Sequence, residues 1–257
     1  MVKPETATRT PLPVILLNVE KLYACAQKLG FELSQRQLEQ FSVYYHELID
    51  WNRRINLTAI TGYEEVQIKH FCDSLSVILG GQPFVAANRP RVLDVGTGAG
   101  FPGIPLKILL PGIGLVLLES VAKKGAFLRH LVEKLGLENV EVVIGRAEEI
   151  AHLTEYREKF DIVLSRGVAP LPTLVELTLP LCKIGGSSIA QKKGNIDVEV
   201  AQAATAMGVL GGSLREIKRV ELDELVGERY LVVIDKVSPT PTKYPRRPGI
   251  PAKRPIV

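Results

Sequence analysis

Residues 91–105 read RVLDVGTGAGFPGIP, and this stretch decides the fold. An apolar run from Val92 to Val95 ends in a loop with glycines at positions 96, 98, 100 and 103. Open, doubly wound α/β sheets bind ligands at such a junction, because glycine lets the backbone approach a ligand closely. The stretch therefore predicts the first strand of a Rossmann-like sheet, with a ligand site at its carboxyl end.

Downstream of this stretch, strand patterns alternate with helix patterns. Apolar runs at 115–119, 140–144, 161–165 and 187–191 predict further strands, and helices are expected over 101–110, 122–135, 171–181 and 196–207. This alternation is typical of a parallel sheet in an α/β fold. Residues 214–220 and 230–237 have no helix between them, so they predict two closing strands joined by a hairpin-like connection.

Upstream of the sheet, the sequence predicts helices. Residues 1–15 contain three prolines and mixed charge, which favours a disordered leader. Capping boxes are expected at Ser34 and Thr61, each followed by apolar residues near helical spacing. The predicted units are thus a helical cap over 16–88, a Rossmann-like domain over 89–237 and a basic, proline-rich tail over 238–257.

The composition favours an ordinary soluble, cytoplasmic protein without a membrane segment or a metal. The chain is 46% hydrophobic and 23% charged. Its longest early apolar run, 14–17, is too short for a membrane span or a signal-peptide core. The three cysteines have no CxxC spacing and the four histidines have no metal-ligand spacing.

The positive charge is concentrated in the tail. The net charge is +4, whereas the tail has no acids and five basic residues: Lys243, Arg246, Arg247, Lys253 and Arg254. These residues are predicted to bind RNA phosphates, since basic tails neutralise phosphate charge and release counterions. On charge alone a solubilising tail is equally compatible. Removing the tail is expected to weaken RNA binding and to leave cofactor affinity unchanged.

The spacing of the glycine loop distinguishes two cofactor classes. A dinucleotide fingerprint counted from Gly96 places the bulky Phe101 at its third small position. The pattern acid-x-Gly-x-Gly-x-Gly fits residues 94–100 and is typical of S-adenosylmethionine sites. Asp94 suits the cationic methionine moiety of that cofactor, and Glu119 is placed to accept hydrogen bonds from ribose. NAD enzymes share the acid at the second strand, so an NAD-dependent oxidoreductase stays an alternative.

Short motifs along nearly the whole chain resemble one family. They lie at residues 51–58, 70–74, 94–105, 146–149, 165–166, 228–230 and 244–251. In order and spacing they resemble those of the bacterial 16S ribosomal RNA guanine-N7 methyltransferases, the RsmG (GidB) family; the last motif resembles one branch only. The resemblance implies a class I methyltransferase fold, S-adenosylmethionine as cofactor, and 16S ribosomal RNA or the small ribosomal subunit as partner.

The resemblance also implies roles for individual residues. Arg166 would lie at the mouth between cofactor and substrate, as the candidate catalytic residue. The predicted cofactor-binding residues are Asp94, Gly96, Gly98, Gly100, Phe101, Glu119, Ser120, Val121, Ala147, Glu148 and Arg166. Among them, 119–121 would hold the ribose and 147–148 would approach the adenine. No role is assigned to His70 or Asp73, although both match a family motif.

The residues near the predicted site agree with methylation of a ring nitrogen. The stretch SRGVAP at 165–170 lacks the (N/D)PP(Y/F) motif that is common for exocyclic amines, and no cysteine follows a strand near the loop. Guanine N7 has a free lone pair, so positioning and electrostatics suffice. Arg166 could contact the cofactor carboxylate, guanine O6 or a phosphate, or could form a salt bridge across the sheet edge.

Two points stay open at this level. A non-catalytic RNA-binding module on a methyltransferase fold is a further alternative to the enzyme. Tyr44, Tyr45 and Trp51 could stack on RNA bases, although aromatic packing inside the helical cap is the favoured interpretation.

Overall fold

A mixed sheet lies at the centre of the computed structural model, which describes residues 19–81, 84 and 89–256. The predicted leader at 1–15 lies outside these residues. The strands in the described part are β1 (Arg91–Val95), β2 (Gly114–Glu119), β3 (Val140–Ile144), β4 (Phe160–Arg166), β5 (Cys182–Lys193), β6 (Gly212–Arg219) and β7 (Arg229–Lys236). All the predicted strands are confirmed within a few residues, except that β5 begins five residues earlier than predicted.

The sheet order is β3-β2-β1-β4-β5-β7-β6. Strands β1 to β5 are parallel, whereas β7 is antiparallel to both β5 and β6. The two closing strands therefore form the expected antiparallel pair, with the later strand inserted next to β5. The central strands β1 and β4 are buried on both faces because helices cover both sides of the sheet.

Helices surround the sheet and form the N-terminal cap. Those of the described part are α1 (Glu20–Lys28), α2 (Gln35–Ile55), α3 (Tyr63–Val66), α4 (Asp73–Leu75), α5 (Gly103–Leu109), α6 (Ala122–Lys134), α7 (Ala147–Ile150), α8 (Leu171–Thr178), α9 (Asp197–Val209) and α10 (Ile250–Lys253). A π-helical turn, Gln67–Cys72, joins α3 to α4, and a 3-10 turn, Ser76–Gly80, follows. Among the described residues no helix is long and apolar enough to cross a membrane.

One predicted capping box is confirmed and the other is wrong. The Oγ of Ser34 accepts a hydrogen bond from the Gln37 amide at 3.4 Å, and the Gln37 side chain accepts one from the Ser34 amide at 2.8 Å. The helix that was expected to follow Thr61 is α3, and it begins one residue later than expected. Its N-cap is Gly62, and no side chain caps it. Glu64 and Glu65 lie in the first turn instead, where carboxylates interact favourably with the helix dipole.

The cap and the sheet share one hydrophobic core. Buried Phe41, Tyr44 and Phe71 from the cap belong to the same cluster as Phe101 and Phe127 from the sheet domain. Since these side chains leave water together, docking of the cap is part of folding the sheet domain.

Polar contacts and Trp51 fix how the cap docks. The Gln37 amide donates to the Ile108 carbonyl at 2.7 Å, and the Gln40 amide donates to the Leu135 carbonyl at 2.8 Å. Trp51 lies 5.6 Å from Phe127 between ring centroids. Tyr44 is fully buried and Trp51 is partly buried, so the favoured packing interpretation of these two aromatic residues agrees with their positions.

The tail is folded against the body of the protein. Arg246 forms a double hydrogen bond with Glu176, at 2.9 Å from Nε to Oε1 and 2.6 Å from the terminal nitrogen to Oε2. Glu176 is fully buried, so this ion pair neutralises a carboxylate that water cannot reach. Arg246, which the sequence predicts to bind RNA phosphates, thus has its charge paired with Glu176 inside the fold.

Replacing Arg246 by alanine should lower the free energy of unfolding by about 3 kcal/mol, because it leaves the buried Glu176 carboxylate unpaired. Arg247→Ala is the matched control, since Arg247 is the neighbouring exposed arginine, and it should change stability by less than about 0.5 kcal/mol. Urea unfolding followed by circular dichroism measures both. Equal unfolding midpoints for the two variants would show that the ion pair does not hold the tail.

Candidate functional site

The carboxyl ends of the parallel strands meet at one edge of the sheet, and most of the predicted site residues lie there. After β1 the chain crosses to β2 on one side and returns later to β4 on the other. This reversal of strand order opens a crevice beside the end of β1, where open α/β sheets bind ligands. The glycine loop follows β1 and is tied to β2 by the Gly96 amide, which donates to the Leu118 carbonyl at 2.9 Å.

The glycines of the loop have backbone conformations that other residues rarely adopt. The φ angles are +66° at Gly96, +61° at Gly98 and +99° at Gly100. A Cβ atom on Gly96 would lie 2.8 Å from a methyl group of Val168, and one on Gly100 would lie 2.7 Å from the Tyr44 hydroxyl. The loop therefore needs glycine for its shape as well as for access by a ligand.

Asp94 connects the loop to the helix that follows it. Its Oδ2 accepts hydrogen bonds from the Thr97 hydroxyl at 2.6 Å and from the Gly103 amide at 2.8 Å. The second bond explains why α5 begins at Gly103, two residues later than the sequence predicted. Asp94 is fully buried, and its Oδ1 has no hydrogen-bond partner in the described part of the chain.

Burial raises the pKa of Asp94 to about 6, although the hydrogen bonds from Thr97 and Gly103 and the charge of Arg166 act to lower it. A buried carboxylate with an unpaired oxygen is costly unless a cation or a donor reaches it. The site thus fits a ligand that carries an ammonium group.

Glu119 ends β2 and is held by two backbone amides. The Gly98 amide donates to Oε2 at 3.0 Å and the Val121 amide donates to Oε1 at 2.8 Å. An ionised carboxylate accepts more than two hydrogen bonds, so both oxygens can still accept from ligand hydroxyls. Ser120 and Val121 are exposed beside it. These positions fit the predicted ribose site.

The loop after β3 lies next to Glu119. The Gly145 amide donates to the Glu119 carbonyl at 3.0 Å, which brings 145–148 to the same edge of the sheet. Ala147 is buried there. The Glu148 side chain turns toward the tail, where its Oε1 accepts from the Gly249 amide at 3.0 Å and from Arg146 at 3.2 Å.

Phe101 belongs to a stack of rings that joins the loop to the cap. Its ring is stacked on Tyr44 at 5.3 Å and on His70 at 4.6 Å, and the Arg166 guanidinium lies 4.9 Å from its centroid. The Tyr44 hydroxyl also donates to the Ala99 carbonyl at 2.6 Å. The sequence predicted Phe101 as a wall of the cofactor pocket; the structure places it between the pocket edge and the cap.

Arg166 ends β4 and forms the salt bridge that was one of the sequence alternatives. Its terminal nitrogen donates to Oδ2 of Asp73 at 2.9 Å, and both side chains are largely buried. A second nitrogen lies 3.4 Å from Nδ1 of His70. Residues 70 and 73, for which no role is predicted from the sequence, therefore hold Arg166 from the cap side.

The hydrogen-bond partners of His70 fit one neutral tautomer. A guanidinium can only donate, so Nδ1 of His70 accepts from Arg166, and Nε2 carries the proton and donates to the Thr58 hydroxyl at 2.7 Å. Burial, followed by the charges of Arg166 and Lys193, lowers the pKa of His70 to about 3. The imidazole therefore adds no positive charge beside Arg166 at neutral pH.

A basic cleft of about 340 Å³ opens beside Arg166. The cations in its lining are Lys69, Arg166, Lys192, Lys193 and Arg229, and Asp73 is the acid among them. Of these cations, only Arg166 is among the site residues predicted from the sequence. The available signal was their position, since residues 192–193 end β5 and residue 229 begins the antiparallel β7 at the same edge.

The remaining predicted RNA-binding residues are exposed. They are Lys243, Arg247, Lys253 and Arg254, and the Lys243 ammonium lies 5.2 Å from the ring centroid of Tyr244. Among the described residues, no three His, Cys, Asp or Glu side chains are grouped so that they could hold a metal ion.

The chain is similar to known sequences over most of its length. A family model described as "GidB: rRNA small subunit methyltransferase G" matches residues 37–226. A protein of Dehalococcoides mccartyi named ribosomal RNA small subunit methyltransferase G is 53% identical over 229 residues, covering 89% of this chain and 96% of that protein. A protein of the same name from Roseiflexus castenholzii is 49% identical over 241 residues, covering 93% and 100%.

Solved structures share the fold at low sequence identity. Cofactor-bound Rv0187 from MTB superposes with a TM-score of 0.52 at 18% identity, covering 77% of this chain and 89% of that chain. A mutant of MtNAS in complex with S-adenosylmethionine gives a TM-score of 0.51 at 16% identity, covering 86% and 78%. The strand order and these neighbours confirm the predicted class I methyltransferase fold.

Gly96→Ala should weaken the binding of S-adenosylhomocysteine, measured by calorimetry, by at least about 10-fold. The new methyl group would strain a left-handed backbone and meet Val168 at 2.8 Å, so the loop must move. Gly112→Ala is the control, because a Cβ there would have nothing within 4 Å. Unchanged affinity in the Gly96 variant would place the cofactor away from this loop.

Asp94→Asn should change how the stability of the ligand-free protein depends on pH. The folded-state pKa of about 6 exceeds the unfolded value near 3.9, so ionised Asp94 destabilises the fold. This cost is fully present above pH 6 and is lost progressively as the pH falls from 6 toward 3.9. The unfolding free energy of the variant relative to the wild type should therefore rise by about 2 kcal/mol between pH 4.5 and 7.5. Urea unfolding at both pH values measures this, and a constant difference would contradict the raised pKa.

Proposed function

This chain belongs to the rRNA small subunit methyltransferase G (GidB) family, and we propose that it methylates N7 of a guanosine in the 16S RNA of the small ribosomal subunit. The family predicted from the sequence motifs is confirmed, and so is an S-adenosylmethionine-dependent methyltransferase on a class I fold. Family membership also decides against the NAD-dependent oxidoreductase. A ribosomal substrate implies that the protein works in the cytoplasm.

The residues at the sheet edge fit S-adenosylmethionine. The orphaned Oδ1 of Asp94 suits the ammonium of the methionine moiety, and the two oxygens of Glu119 suit the ribose hydroxyls. The loop at 147–148 would lie against the adenine, beside Glu119. The bound cofactor supplies a methyl group on a positively charged sulfur, which leaves as a neutral thioether.

The basic cleft is the observation that carries the proposal of an RNA substrate. It opens at the same sheet edge as the glycine loop, and Arg166 lies at the boundary between the two. Its five cations outnumber the three acids with which they pair, Glu65, Asp73 and Glu199. The remaining positive charge would attract the phosphates that flank a splayed-out nucleotide, as is usual when a protein acts on single-stranded RNA. Its volume of about 340 Å³ leaves room for a purine base.

The residues around Arg166 suit an attack by guanine N7. This nitrogen carries its lone pair at neutral pH, so no base has to remove a proton before the N–C bond forms. Arg166 would donate a hydrogen bond to O6, the acceptor next to N7, and thereby orient the base. The guanine becomes positively charged as the bond forms, and Asp73 offsets the charge of Arg166 beside it.

The exposed tail cations would extend the RNA-binding surface. Lys243, Arg247, Lys253 and Arg254 are accessible, whereas Arg246 is paired with Glu176 and is not proposed to contact RNA. The tail would add affinity without sequence specificity, because phosphate contacts position a protein on RNA and do not read bases.

Arg166→Ala should reduce kcat for methylation of small subunits that lack the modification by about 100-fold, because a preorganised donor at the reacting base is lost. Methyl transfer is measured with labelled cofactor, and the product is mapped as 7-methylguanosine by mass spectrometry of 16S RNA. Arg36→Ala is the control, since Arg36 is exposed and lies near Pro111 and Glu138 at the opposite edge of the sheet.

The same assay tests the proposed function itself. Wild-type protein should produce one new 7-methylguanosine in 16S RNA, and deletion of the gene should remove it. Methyl transfer to another position, or RNA that is unchanged by the deletion, would overturn the assignment to guanine N7.

A further inference from the structure

We infer that the C-terminal strap, defined as residues 240–254, positions the adenine side of the cofactor site through Glu148. The inference rests on the proposed cofactor site, in which the loop at 147–148 lies against the adenine. It assigns Glu148, Gly249 and Arg246 as positioning residues for cofactor binding. It also changes the expectation, drawn from the sequence, that losing the tail leaves cofactor affinity unchanged.

The strap is fastened to the sheet domain along its length. Its start is held at the Thr240 amide, which donates to Glu158 at 2.7 Å. Arg157 donates to the carbonyls of Thr240 at 2.8 Å and of Tyr244 at 2.9 Å. Near its end, the Thr173 hydroxyl donates to the carbonyl of Pro251 at 3.2 Å. The strap therefore has a fixed path over the helices that follow β3 and β4.

The Arg246–Glu176 ion pair makes more hydrogen bonds than the other contacts that hold the strap. Glu176 is fully buried in α8, and Arg246 offers it both its side chain and its backbone amide, the latter at 2.8 Å. Charge-assisted, bidentate contacts of this kind fix geometry as well as adding stability. Because this pair lies three residues before Gly249, it sets where the Gly249 amide points.

Gly249 connects the strap to the cofactor edge. Its amide donates to Oε1 of Glu148 at 3.0 Å, and its φ angle of +81° is one that glycine adopts readily. Burial acts to raise the pKa of Glu148, but the bonds from Gly249 and Arg146 lower it below the ordinary value. Glu148 is thus an ionised, buried group whose orientation depends on a donor from the strap.

The loop that Glu148 belongs to is joined to the predicted ribose site. The Gly145 amide donates to the carbonyl of Glu119, the residue whose side chain would hold the ribose. A change in the Glu148 side chain therefore acts on the wall of the adenine site from behind, without contact between the strap and the substrate cleft.

The inference predicts that Arg246→Ala raises the Kd for S-adenosylhomocysteine by about 10-fold, because the Gly249 amide is no longer held toward Glu148 and the wall of the adenine site is displaced. The KM for S-adenosylmethionine should rise in parallel, and kcat at saturating cofactor should stay within about 2-fold of the wild type. Arg247→Ala removes the same charge from the same strap and should leave the Kd for S-adenosylhomocysteine unchanged. Calorimetry on the full chain measures the Kd values.

A second pair of variants tests the contact directly and does not depend on the ion pair. Glu148→Gln keeps an oxygen that can accept from Gly249 and should bind S-adenosylhomocysteine within about 3-fold of the wild type. Glu148→Ala removes the acceptor and should lose about 10-fold. Wild-type affinity in both Arg246→Ala and Glu148→Ala would overturn the inference. A wild-type protein that bound no S-adenosylhomocysteine would instead contradict the proposed function.

Discussion

The buried carboxylate of Asp94 is the interaction on which the geometry of the site depends. It bonds the glycine loop at Thr97 and the start of α5 at Gly103, and so fixes the turn between strand and helix. That turn presents the Ala99 carbonyl to Tyr44 and the Phe101 ring to the cap. The same carboxyl group therefore shapes the cofactor loop and determines how the helical cap is seated.

The cap in turn completes the candidate site at the carboxyl edge of the sheet. A Rossmann-like sheet supplies Arg166 at the end of β4, but the groups that hold it, Asp73 and the neutral His70, come from the π-helical turn and the short helix after it. Single π-helical turns are frequent at functional sites because they re-aim side chains within a helix. The cap is thus part of the site, in addition to sharing the hydrophobic core of the sheet.

The sequence predicted those features that depend on local pattern. Strand and helix periodicity predicted the architecture, and the acid and glycines at 94–100 favoured S-adenosylmethionine over a dinucleotide. The loop spacing left the dinucleotide open, and the family match decided between the two. The sequence could not predict contacts between residues far apart in the chain. Arg166 and Asp73 are separated by 93 residues, and Gly249 and Glu148 by 101. Composition could not predict the pairing of Arg246 with Glu176, because a cation in a basic tail looks the same whether a phosphate or a buried glutamate neutralises it.

The position of Trp51 has a practical consequence. It is the one tryptophan in the sequence, and it lies where α2 packs against α6, with its ring 5.6 Å from Phe127 and 5.2 Å from His130. Indole emission depends on polarity and on nearby quenching groups, so the tryptophan fluorescence of this protein reports on a single junction between cap and sheet. Movement of the cap during ligand binding can therefore be followed in solution without attaching a dye.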